Sequence, residues 1–257
     1  MSWPSGGIFR SRPAVAAAVW LSICLAWNTP RARSAATPDY PGIFGASYRK
    51  AGEFVARNGS ATRAFESFGI DPREAWAVVF PELVRWSALA DLIQTSNLQA
   101  LYVQYGAGYS DFSIGRFQMK PSFAETLEAD FNKLLPPDEQ RSIRGGRFET
   151  GDTVENRRAR VRRLADADDQ VRYLIIFFRV MDRLYARERW ASAEEKVRFT
   201  AAAYNSGYRS GAARIRREAG RNRFHLGLIP AKPFYNYSDI AADFWRRAPV
   251  TGPSSVP

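Results

Sequence analysis

Cysteine and histidine are nearly missing from this chain of 257 residues, which has one of each, Cys24 and His225. A lone cysteine has no partner for an intramolecular disulfide. One cysteine and one histidine also fall short of a His/Cys metal cluster, so no metal and no metal-based cofactor are expected. If the segment holding Cys24 is removed, thiol chemistry goes with it. Any catalysis is then left to carboxylates, hydroxyls and amides. Two further absences narrow the fold. No stretch shows the sustained period-two alternation of a sheet strand, and no apolar run reaches the roughly 20 residues of a membrane-spanning helix. No internal repeat is visible.

The longest apolar run, "PAVAAAVWLSICLAW" (13–27), follows Arg10 and Arg12 and precedes "NTPRARSAA". A basic start, a short apolar stretch and the small residues Ser34, Ala35 and Ala36 are the three parts of a secretory signal peptide, read here as residues 1–36. The mature protein is therefore expected outside the cytoplasm, in the periplasm or cell envelope. Ile23 stands where a lipoprotein signal places a small residue before its cysteine, so no lipid anchor at Cys24 is expected.

Acidic residues are outnumbered, 26 against 37 lysines and arginines, giving a formal charge of +11. The leader holds four of the arginines and no acid, which leaves about +7 on the remainder. A basic surface suits an anionic partner such as nucleic acid, acidic lipid or an acidic cell-wall polymer, and export makes nucleic acid the least suitable of these. The chain is expected to act as a monomer.

With 46% hydrophobic residues, the chain can bury one substantial core. The patterning is helical from end to end, so the expected class is all-α, a single domain over 40–248 with a short tail at 249–257. "DPREAWAVVFPELVRWS" opens with Asp71 as N-cap, Pro72 at the first helical position and Glu74 as capping-box partner, and Pro81 is expected to kink or end that helix. "ALADLIQTSNLQALYVQYG" continues helically to Gly106. "PSFAETLEADFNKLL" sets Leu127, Phe131, Leu134 and Leu135 on one face. Residues 136–158 are polar and aperiodic and read as a surface loop. In "DQVRYLIIFFRVMDRLYARERW" a stripe of Val171, Leu174, Ile175, Phe178, Met181, Leu184 and Tyr185 marks a buried helix face. Ser192 and Glu195 open another helix with a capping box. Residues 220–236 are irregular, and "YSDIAADFWRRA" closes the domain.

Three segments set polar side chains among apolar ones. In "FPELVRWS", Glu82 lies among Phe80, Pro81, Leu83 and Trp86. Such a setting penalises the ionised carboxylate and lifts its pKa towards the range of a proton donor. Asp91, beside leucines, and Asp111, in the loop, are alternative acids. The loop "YSDFSIGRFQMKPSF" combines Ser113, Gly115, Gln118 and Pro121. "AAYNSG" ends a helix on Tyr204, Asn205 and Gly207.

In this order the three segments resemble the lysozyme-like lytic transglycosylases, over about residues 71–210. That family has a glutamate at a helix end, then a Gly-Leu-Met-Gln-type motif ending in proline, then Ala-Tyr-Asn-x-Gly. Here these positions are Glu82; Ser113, Gly115, Gln118 and Pro121; and Tyr204, Asn205 and Gly207. The chain departs from the pattern in having Leu83 after the glutamate, an extra helical stretch before the glycine, and Arg116 and Phe117 inside the motif.

The resemblance implies a lysozyme-like helical fold and peptidoglycan glycan strands as substrate. It implies that one glutamate, Glu82, cleaves the β-1,4 bond between N-acetylmuramic acid and N-acetylglucosamine, leaving a 1,6-anhydro end. Ser113 and Gln118 would bind the N-acetyl or lactyl groups, Tyr204 and Asn205 would orient Glu82 and the acetamido carbonyl, and Gly115 would let the sugar come close. Tyr102, Tyr105 and Tyr109 are candidate stacking surfaces. Asp111 is the possible second carboxylate of a lysozyme-type hydrolase. A protein that binds peptidoglycan without cleaving it is the remaining alternative.

Overall fold

A computed structural model describes residues 38–89, 96–149, 151–227 and 232–249. The expected leader, the tail from residue 250 and Asp91 lie outside the described residues. Two helices precede the first one that the sequence pattern delineates. They are α1 (Tyr40–Arg57), broken at Gly45 (φ 51°, ψ −118°), and α2 (Gly59–Ser67).

Helix α3 (Pro72–Leu89) is the spine on which the rest assembles. Every residue from Glu74 to Val84 is buried, because α1 and α2 pack on it from one part of the chain and the later helices from another. Asp71 starts the helix by accepting the Arg73 N–H at 2.8 Å. Glu74 does not complete a capping box. Its carboxylate is buried and takes Lys196 Nζ at 2.8 Å and the Thr200 hydroxyl at 3.3 Å, so tertiary pairing overrides the local motif. Pro81 does not end α3, which runs on to Leu89. A proline inside a helix withholds one backbone donor. In the same turn the Tyr237 hydroxyl donates to the Val78 carbonyl at 2.9 Å.

Helix α4 (Ser96–Tyr105) leads through a loop into α5 (Pro121–Leu134), in which Leu127 and Phe131 are buried as the pattern requires. The stretch 136–158 is not a continuous loop. It contains α6 (Pro137–Arg144) and the start of α7 (Val154–Ala165). The signals for α6 are local: proline in the first turn, Asp138 and Glu139 after it, and left-handed Gly145 as C-cap. Gln140, buried, donates to the Leu135 carbonyl at 2.6 Å and so closes the end of α5.

Helix α8 (Ala167–Leu184) is buried on more than the expected stripe. Tyr173, Ile176, Phe177 and Val180 are also in the core, whereas Leu184 is exposed. A helix packed from several sides has no single apolar face to read. Glu128 on α5 joins α7 and α8 by pairing with Arg160 at 2.7 Å, with Arg163 at 2.8 Å and with the Tyr173 hydroxyl.

Helix α9 (Ala193–Ser206) begins as expected, with the Ser192 hydroxyl accepting from Glu195 N at 3.1 Å. A 3-10 turn at Tyr208–Ser210 and α10 (Ala212–Ala219) follow. Residues 220–236 carry a short antiparallel ladder, β1 (Asn222–Phe224) with β2 (Tyr235–Asn236), too brief for alternation to announce it. Helix α11 (Tyr237–Arg247), capped by Asn236, packs on both α3 and α9. The domain is thus all-α apart from that ladder, and no described helix is long and apolar enough to cross a membrane.

Candidate active site

Glu82 sits within α3, two residues from the end of its fully buried run, with 6% of its surface exposed. The helix continues to Leu89, so Glu82 is not at a helix end as the family pattern has it. Among the described residues its buried Oε2 accepts no hydrogen bond, and Arg85 Nη1, one turn on, lies at 3.9 Å. Burial pushes the Glu82 pKa up to about 7, and Arg85 and Lys120 pull against that rise. Desolvation disfavours the charged form of any carboxyl that lacks donors to offset it, and here the offset is weak.

The motif loop folds as a tight hairpin. Ile114 and Met119 exchange both backbone hydrogen bonds, at 2.9 and 3.2 Å, across the turn Gly115–Gln118. Gln118 closes the turn at φ 50°, a left-handed value rare for a side chain of this size, and its carboxamide donates to the Gly115 carbonyl at 2.7 Å. Two buried groups hold the hairpin from outside. Gln170 of α8 accepts the Phe117 N–H at 2.9 Å and donates to the Leu164 carbonyl at 2.8 Å. Tyr204 of α9 donates its hydroxyl to the Phe117 carbonyl at 2.8 Å.

Glu82, Ser113, Gln118, Tyr204 and Asn205 meet on the wall of one open cavity of about 670 Å³. Five of the expected positions, contributed by α3, the hairpin and α9, are therefore brought together. Tyr204 is buried close enough to Glu82 for that charge, after burial itself, to raise the phenol well above its ordinary range. Its ring lies at 5.4 Å from both Phe123 and Phe177, which fixes its orientation. Asn205, at the end of α9, is exposed to the cavity.

Gly115 is placed differently from its expected role. It is not on the cavity wall; a Cβ there would overlap the Gln170 carboxamide and come within 2.7 Å of the Leu164 carbonyl. With φ 69° as well, the position needs glycine for the turn and for Gln170, not for a sugar. Asp111 does lie on the cavity wall, but its oxygens are occupied. It accepts Ser122 N at 3.0 Å and Ser122 Oγ at 2.8 Å, capping α5, and has Lys120 Nζ at 3.4 Å.

Of the three tyrosines, Tyr102 is fully buried and hydrogen-bonded to Glu125 at 2.8 Å, while Tyr105 and Tyr109 are exposed with ring centres 5.0 Å apart. None of the three lines the cavity. The two residues that depart from the family motif also face elsewhere. Phe117 is buried edge-on against Trp76 at 6.1 Å, and Arg116 lies over the Phe54 ring at 4.7 Å.

Four cations that no motif signalled, Arg85, Lys120, Arg209 and Arg214, also line the cavity, against the acids Glu82 and Asp111. Arg209 is held by Asp130 at 3.0 Å. The excess of positive charge suits an anionic substrate. Gln170 and Tyr237, which steady the hairpin and α3, were equally silent in the sequence, since the backbone groups they bind lie far away along the chain. No family model, curated protein or solved structure matches this chain.

Proposed function

We propose that this chain is an exported, lysozyme-like peptidoglycan glycosidase of the lytic-transglycosylase type, with Glu82 as its only proton-transfer residue. The observation that carries the reading is Glu82 itself. It is a buried carboxyl with one unbonded oxygen on a cavity wall and a pKa of about 7. General acids work best with a pKa near the operating pH. The substrate class rests on the resemblance in the order of the three sequence segments, and the meeting of five of their residues around one cavity supports it.

On this reading protonated Glu82 donates its proton to the glycosidic oxygen. The C1–O bond of N-acetylmuramic acid breaks, and the N-acetylglucosamine leaves as an alcohol. The substrate's own N-acetyl carbonyl stabilises the electron-poor C1. Glu82, now a carboxylate, takes the proton of the muramoyl 6-hydroxyl as its oxygen bonds to C1, which returns the acid and forms the anhydro ring. Arg85, 3.9 Å from Oε2, stabilises the carboxylate between the two steps. Tyr204 holds the hairpin that carries Gln118, and Asn205 and Ser113 offer hydrogen bonds to the acetamido groups.

Asp111 on the same wall keeps a hydrolytic outcome in view, because a second carboxylate activates water in inverting enzymes. Its bonds to Ser122 and its ion pair with Lys120 speak for a capping role instead. The test is digestion of purified sacculi followed by mass spectrometry of the released muropeptides. Anhydro-ended fragments with the wild type and a loss of about 100-fold or more with Glu82→Gln are expected. Hydrated reducing ends would reassign the reaction to hydrolysis. Binding without release by the wild type would make the chain a peptidoglycan-binding protein.

A further inference from the structure

The far sides of α3 and the hairpin form a second cavity, of about 400 Å³, that the proposed reaction does not use. Its walls are Lys50, Phe54 and Arg57 of α1, Leu83 and Trp86 of α3, and Arg116 of the hairpin. Leu83 adjoins Glu82, and Arg116 lies two residues before Gln118, so the two cavities share their supports.

Trp86 is half-buried there, and among the described residues its ring packs on no other aromatic and its indole N–H has no hydrogen-bond partner. Arg57 is paired with Glu53 at 2.8 Å, the one acid on this wall. Lys50 and Arg116 have no carboxylate partner among the described residues, and Arg116 is steadied by the Phe54 ring instead. Two uncompensated cations thus flank an open indole.

We infer that this cavity is a binding site for a carboxylate-bearing sugar. The indole offers a flat apolar face to the C–H side of a pyranose ring and an N–H to a hydroxyl. The Arg116 guanidinium is a planar fork that matches a carboxylate, and Lys50 adds a point charge. A bare inorganic anion would leave the indole unused, and an uncharged sugar would leave both cations unused. The site stands whether or not Glu82 cleaves a glycan.

The test is two-dimensional NMR of the full-length Glu82→Gln chain, following the Trp86 indole resonance, identified by its disappearance in Trp86→Phe. N-acetylmuramic acid is expected to shift that resonance and to bind about tenfold more tightly than N-acetylglucosamine. Arg116→Ala, at an exposed position and with its fold checked by a melting curve, is expected to remove that preference. Sugar-induced shifts that spare Trp86, or a preference that survives Arg116→Ala, would overturn the site while leaving the Glu82 reading intact. Binding of adenosine monophosphate to Trp86 as tightly as the acidic sugar would reassign the cavity to aromatic anions and overturn the sugar assignment. A wild-type chain that releases no muropeptides while its Trp86 still responds to N-acetylmuramic acid would refute the reaction and keep the site.

Discussion

Replacing Glu82 by glutamine should make the protein more stable, and by an amount that depends on pH. Burial raises this carboxyl from its ordinary 4.5 to about 7. At about 1.4 kcal/mol per tenfold change in proton affinity, the gap corresponds to about 3 kcal/mol. The sign follows from proton counting. Between the two pKa values the folded state binds a proton that the unfolded state has lost, so stability falls as pH rises from about 4.5 to about 7. The full cost is present above that window and absent below it. Glutamine has the same shape and no charge to desolvate. At about pH 8 the variant should therefore gain about 3 kcal/mol relative to its difference at low pH, and at about pH 5 under 1 kcal/mol. For a domain of this size that is a relative rise of about 6–12 °C in melting temperature. The amide's own burial beside Arg85 adds a term that does not vary with pH, so the slope of the difference is the quantity to measure. Thermal melts of both proteins at matched pH values provide it. A difference that stays flat from pH 4.5 to 8 would show that Glu82 is ionised at an ordinary pKa, and the acid–base argument would fail with it.

Three further perturbations test the supports of the site. Tyr204→Phe leaves the buried Phe117 carbonyl without its donor and should cost about 1–3 kcal/mol in denaturant unfolding, with activity lowered through loss of hairpin order. Gly115→Ala places a methyl against Gln170 at a left-handed backbone position. It should lower stability by about 2 kcal/mol or more, read by the same unfolding curve, even though the residue does not touch the cavity. Glu128→Gln removes the ion pairs to Arg160 at 2.7 Å and Arg163 at 2.8 Å, leaving Arg160 only Glu125 at 3.2 Å, and should cost about 3 kcal/mol, seen as a drop in melting temperature.

The helices that the sequence disclosed are those whose ends carry their own chemistry. Asp71–Pro72 and Ser192–Glu195 mark real starts, and Leu127 and Phe131 of α5 are buried where expected, with Leu134 partly so. Failures came where a distant group overruled a local rule. Pro81 does not stop α3, which packing from distant parts of the chain buries on both sides of the proline. Glu74 abandons its cap for Lys196. The stripe read for α8 is buried or partly buried except at Leu184, but it was incomplete for the same reason, since several neighbours bury the helix at once. Helix α6 is a different case. Its prolines, acids and glycine were local and visible, but its composition is polar and its length only eight residues, so no period rose above the background.

The site was legible where a polar residue broke the pattern of its segment, and opaque at Arg85, Lys120, Arg209 and Arg214, whose segments are already charged or polar. Glu82, Gln118, Tyr204 and Asn205 share a cavity wall, and each was visible as a polar group out of place in its segment. Gly115 was equally conspicuous, yet its missing side chain makes room for Gln170. A glycine in a motif announces that something comes close without saying whether it is ligand or protein. Arg116 and Phe117 teach the converse. As departures from a familiar motif they cast doubt on the cavity, but in the fold they point away from it, Phe117 into the core against Trp76 and Arg116 over Phe54. A four-residue turn has two sides, and substitutions on the outer side can change what the protein packs against or binds there without altering the inner one. That separation is why the altered motif is compatible with an intact acid at Glu82, and why Arg116 directs attention to a second surface.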